Sequence, residues 1–180
     1  MDASVAAVMG AAIGALGGLG GGWLTVLGQR RQQRSQWEAE RERWRDEMRR
    51  DAYNAGIASV KRLSAAWWRF SDRVWKEGST PEEWRAGFAD AHDAWVQFSS
   101  DIAAVTVAGP RSVADAADTL RRAMYDLQVA GMEWLDAALR EGHGRLEACD
   151  ERFKRAAEAK REPDRAFQKA AREALGTEQP

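Results

Sequence analysis

Cysteine occurs once in this chain, at Cys149, so neither an internal disulfide framework nor a cysteine zinc site can form within one chain. Histidine occurs twice, at His92 and His143. Neither lies three residues after a glutamate, as the bundle iron sites of paired Glu-x-x-His motifs require. Proline is missing until Pro81, and no stretch shows strand-like alternation bounded by turn residues, which excludes a sheet architecture. Lysine is scarce, with 5 against 22 arginines, and Asn54 is the one asparagine, a skew that fits the codon bias of a GC-rich genome. Charge of one sign is also lacking. The net charge is −1, and the eight arginines between Arg30 and Asp51 are mixed with six acids, a pattern for ion pairs along helices rather than a nucleic-acid surface.

What the chain has instead is a run of 23 uncharged residues, Val5 to Leu27, with glycine at every fourth position: Gly10, Gly14, Gly18 and Gly22. As a helix it would span about 34 Å, enough for a hydrocarbon core of about 30 Å. The spacing places a groove without side chains along one face, where a second helix can approach closely. The apolar residues are modest: eight strong ones give about −3 to −4 kcal/mol on an insertion scale. Seven glycines oppose helix formation in the same span, so close contact with a second copy would help to hold it. A cleaved signal peptide needs a positive start and a small-residue cleavage site, and the run here begins after Asp2 and ends in Gln29-Arg30-Arg31. A membrane anchor is therefore expected, with Trp23 near its inner end. Arg30, Arg31 and Arg34 set the topology, N-terminus outside and the rest cytoplasmic, and can also hold anionic headgroups.

After the anchor the periodicity is helical throughout. Arg30 to Asp51 is mostly charge, with a thin seam of Trp37, Trp44 and Met48 that suits a stalk or weak coiled coil. Val60, Leu63, Trp67, Phe70 and Val74 follow at spacings of three and four. Thr80-Pro81-Glu82-Glu83 opens a second helix as a capping box with Pro at the first position. Its stripe is Trp84, Phe88, Ala91, Trp95, Phe98, Ile102 and Val105. The third stripe is Val113, Ala116, Leu120, Ala123, Leu127, Ala130, Trp134 and Ala137, large and small in alternation. After Gly142-His143-Gly144 a fourth helix places Leu146, Cys149, Phe153 and Ala156 inward, is broken or kinked by Pro163, and continues through Phe167, Ala170, Ala171, Ala174 and Leu175.

The expected fold is all-α: an N-terminal transmembrane helix (1–28), a charged juxtamembrane helical stalk (29–52), an up-down four-helix bundle (53–176) and a short tail (177–180). No catalytic, cofactor-binding or metal-binding residue stands out, so a non-enzymatic protein without cofactor is expected. Cys149 falls on a core stripe, and the glycine run lacks the Lys-Ser/Thr of a phosphate loop. Of the nine tryptophans, Trp68 and Trp75 are the candidates for a protein-partner surface, Trp68 lying about 100° around the helix from core residue Trp67.

The order of parts resembles a group of single-pass proteins of GC-rich Gram-positive bacteria, in which a glycine-rich anchor runs into an Arg/Gln-rich helix and a small helical domain. The likeness is carried by Gly14 to Leu24, by Arg30-Arg31-Gln32-Gln33-Arg34, by Arg49-Arg50-Asp51-Ala52-Tyr53 and by Phe167 to Gly176. It implies a membrane location and no known activity. The functional expectation is a bacterial plasma-membrane adaptor or scaffold that forms homo-oligomers and binds a protein partner, not nucleic acid. The alternative is a pore-type or membrane-perturbing effector regulated by the helical domain, although a lining of Ala, Gly and Leu offers ions no polar path.

Overall fold

The computed structural model describes the backbone of residues 3–177 and the side chains of residues 37, 38 and 40–177. The glycines at 10, 14, 18 and 22 and Arg30, Arg31 and Arg34 belong to the part whose side chains lie outside the described residues. Among the described residues all regular structure is helical: α1 (Ala3–Trp75), α2 (Pro81–Ala108), α3 (Arg111–Glu141), α4 (Glu147–Ala159) and α5 (Arg161–Ala174). Among the described residues no helix is long and apolar enough to cross a membrane. The chain divides into two compact units, Met1–Arg45 and Asp46–Pro180.

The second unit is a helical bundle. Gly56 of α1 lies beside Val105 and Ile102 of α2, whereas Trp67 meets Phe88, so α1 and α2 run antiparallel. Gly109, ahead of α3, approaches Tyr53, and Gly131 of α3 approaches Trp67, so α3 runs alongside α1 in the same direction. Phe153 of α4 packs on Trp67, and Phe167 of α5 returns to Gly56. Five helices thus fill four positions, because the last is divided. Pro163 has no N–H to offer the carbonyl of Ala159, and its ring crowds that carbonyl. The break falls at Lys160, whose backbone stays αR (φ −71°, ψ −16°) and still bonds back to Ala156 at 3.2 Å.

Local signals set the starts and stops. Thr80 accepts from the Glu83 amide at 3.4 Å while the Glu83 carboxylate accepts from the Thr80 amide at 2.9 Å, closing the capping box. The core is aromatic at its centre. Trp67 sits edge-on to Phe70 at 5.5 Å between centroids and to Phe88 at 5.9 Å, and Trp134 packs on Phe70 and Phe153 at 6.2 and 5.7 Å. Each such pair adds about 0.5–1.5 kcal/mol beyond the area it buries.

The stripes on α1 and α2 are largely where the spacing places them, with Val60, Leu63, Trp67, Phe70 and Val74 all buried. Phe88 and Trp95 of α2 are half-buried at the edge of the core. The α3 stripe needs a correction. The large positions Val113, Leu120, Leu127 and Trp134 are buried as expected, but Ala117, Met124, Gly131 and Ala138 alternate with them. Of the small positions expected inward, Ala130 is buried, whereas Ala116, Ala123 and Ala137 are only half-buried. Both sets satisfy a three-four spacing; the choice between them follows from α3 packing against α2 on one side and α4 and α5 on the other. Gly131 shows why. A Cβ there would lie 2.1 Å from the Trp67 ring, so a whole indole occupies the space that any side chain would need.

Candidate partner-binding surface

Seven residues apart on α1, Trp68 and Trp75 share one face of the helix. Trp68 is 44% exposed and Trp75 37%, although each leans on the core beneath it: Trp68 edge-on to Phe153 at 5.7 Å, Trp75 to Trp134 at 6.3 Å. The indoles are therefore held in place while part of each ring faces solvent. Between them and the start of α4 runs an open groove of about 300 Å³. Its other walls are charged, with Asp72 on α1, Lys76 just after it, Arg145 ahead of α4, and Asp150 and Lys154 on α4.

The charges are unevenly engaged. Lys154 Nζ pairs with Asp150 Oδ2 at 2.6 Å, an i,i+4 pair along α4. Arg145 donates from Nε to the Trp75 carbonyl at 3.1 Å and from Nη2 to Glu77 Oε2 at 3.3 Å, which ties the turn before α4 to the end of α1. Asp72 and Lys76, one turn apart, have no ion pair among the described residues. The groove thus combines two anchored aromatic rings with one free carboxylate and one free ammonium, a set suited to a polypeptide with both apolar and charged side chains.

The end of the bundle around this groove is stiffened by two indole N–H groups. Trp134 Nε1 donates to the Gly144 carbonyl at 2.9 Å, and Trp84 Nε1 to Ser79 Oγ at 2.7 Å. Gly144 lies so close over α1 that a Cβ would stand 2.0 Å from the Val74 carbonyl oxygen. With both connecting turns pinned, the groove walls are preformed.

The remaining sequence candidates are dispersed. Cys149 is half-buried on the α3 side of α4; burial, and secondarily Glu133, push its thiol above the usual value, which disfavours the nucleophilic thiolate. Glu133 itself is paired with Arg152. His92 is exposed and stacks on Phe88 at 6.4 Å, and His143 lies exposed in the turn after α3. No group of three His, Cys, Asp or Glu residues is placed to hold a metal among the described residues.

Sequence reasoning singled out the two tryptophans but missed Lys76, Arg145, Asp150 and Lys154. Asp150 and Lys154 are visible in sequence as a helix pair, yet nothing local says that they face α1. Comparison of the chain with protein-family models, curated proteins and solved structures gives no match, so its function is argued from its own geometry.

Proposed function

We propose that this protein is a non-enzymatic, membrane-tethered adaptor or scaffold whose helical bundle recruits a protein partner at the inner face of a bacterial plasma membrane. The observation that carries the adaptor role is the pair of braced, partly exposed indoles, Trp68 and Trp75, beside a mixed-charge groove. Aromatic anchors over a fixed pocket are the residues that dominate protein interfaces. The tether rests on composition alone: the uncharged run from Val5 to Leu27, followed by Arg30, Arg31 and Arg34. In this reading residues 1–28 cross the bilayer with the N-terminus outside, and Gly10, Gly14, Gly18 and Gly22 bring copies together as a homo-oligomer.

The test is affinity capture of the full chain from detergent-solubilised membranes, wild type against the Trp68→Ala, Trp75→Ala double variant. The expected result is a stoichiometric protein partner retained by the wild type and lost in a variant that keeps its helix content. Equal retention by both would remove the groove as the recruiting surface. Ion leakage on expression, without a retained partner, would favour the pore-type effector instead.

A further inference from the structure

The first unit carries a feature that neither the anchor nor the groove uses. Trp37 is 64% exposed and Trp44 61%, seven residues apart on α1 and therefore on one line along the helix. Two large aromatic rings left open on one face mark a surface that is covered by something. Measured from Trp37 at about 100° per residue, Arg41 lies about 40° to one side with Arg45 about 80° on that same side, and Glu40 lies about 60° to the other. All three charged residues are exposed, and none has an ion pair within the chain among the described residues.

We infer that residues 37–45 form a short parallel coiled coil with the same segment of a second copy of this chain. Placed at successive core positions, Trp37 and Trp44 make Arg41 the core position between them, Glu40 the residue flanking one side and Arg45 the residue flanking the other. In a parallel pair the flanking residue on one helix reaches the opposite flank of the next heptad on its neighbour. That match sets Glu40 of one copy against Arg45 of the other, twice by symmetry, with opposite charges both times. Arg41 runs its aliphatic stem between the tryptophan layers, and its guanidinium can lie over a ring of the second copy. The occupant of the tryptophan face is thus a second copy aligned in register, which the charges of this segment match without any other partner. The inference extends the homo-oligomer reading and adds a contact outside the glycine-spaced run.

The test is disulfide crosslinking of the full chain in membranes, with Cys149→Ala removing the native thiol. Arg41→Cys, at the core position between the tryptophans, should crosslink at least about tenfold more than Arg43→Cys, about 160° away from Arg41 on the helix. In the Arg41→Cys background, Glu40→Arg or Arg45→Glu alone should cut crosslinking about tenfold, since each turns two attractive pairs into two repulsive ones. Glu40→Arg combined with Arg45→Glu should restore it. Equal crosslinking at 41 and 43, or a double reversal no better than the single ones, overturns the pairing and leaves lipid or another protein to cover the tryptophans. Capture of a partner by the Trp68–Trp75 groove is unaffected by either outcome. Crosslinking at 41 that survives Gly14→Leu with Gly18→Leu would uphold the pairing while removing the glycines as the source of self-association.

Discussion

Three tryptophans of one unit and two of the other have opposite fates in this chain. In Asp46–Pro180, Trp67, Trp84 and Trp134 are at most 1% exposed; in Met1–Arg45, Trp37 and Trp44 are 64% and 61% exposed. All five lie on helices. The difference is what fills the gaps. Trp67 is followed three and seven residues on by Phe70 and Val74, so its stripe is wide and opposed by layers from the other helices. Trp37 and Trp44 are separated by charge, so their stripe is one residue wide. A helix face buries within its own chain only when the intervening three- and four-residue positions are apolar too.

Several substitutions can break or sharpen that contrast. The largest effect is expected at Trp134, which is fully buried and spends its indole N–H on Gly144. Trp134→Ala should cost about 3–5 kcal/mol in denaturant unfolding, whereas Trp44→Ala should change bundle stability by less than about 0.5 kcal/mol. Similar costs at the two sites would erase the distinction. Gly131→Ala comes next, at about 1–3 kcal/mol, because the new methyl would drive into the Trp67 ring, which is itself packed on Phe70, Phe88 and Phe153. A neutral result would mean that the α1–α3 contact is looser than described.

Trp95 sharpens the comparison from the middle. It sits at the edge of the core, against Phe98 and Tyr125 at 5.5 and 6.0 Å. Trp95→Ala should therefore cost about two thirds to nine tenths as much as Trp134→Ala, in proportion to the area it buries. A cost equal to that of Trp134 would place it in the core after all.

The smallest effect concerns Tyr53, which is 1% exposed with its hydroxyl unpartnered among the described residues. Tyr53→Phe should be neutral or stabilise by about 1 kcal/mol, since an unsatisfied hydroxyl is removed and the ring remains. Burial raises the folded-state pKa of Tyr53 above its ordinary 10.0, partly offset by Arg49. The folded chain therefore holds this proton more tightly than the unfolded one. The stability linked to Tyr53 is complete below pH 10.0 and is lost as pH rises through the folded value. Urea midpoints measured between about pH 8 and 11 should fall less steeply for Tyr53→Phe than for the wild type.

Much of the bundle is legible from local rules. Thr80 with Glu83 announces the start of α2, Gly142 the end of α3, and Pro163 the division of the last helix. Each acts within a few residues, through a cap, a left-handed turn at φ 73°, or a missing N–H. The candidate surface is half legible. Trp68 must diverge from Trp67 because neighbours on a helix cannot share a face, whereas the approach of Asp150 and Lys154 is a contact across about eighty residues of sequence.

The amino-acid sequence by itself determined the all-helical class, most helix boundaries, most of the large core positions and the uncharged N-terminal run, because these depend on periodicity and on each residue's own backbone preferences. Only the tertiary structure decided which small residues of α3 turn inward, that Gly131 is needed beneath Trp67, and that Arg145 and the α4 charges stand beside Trp68 and Trp75. On α3 the alternatives Ala116 and Ala117, or Ala123 and Met124, fit the helical repeat equally well. What separates them is the shape of the neighbouring helices, since a close-packed core accepts one interlocking of rings and gaps, and a three-four repeat does not specify which.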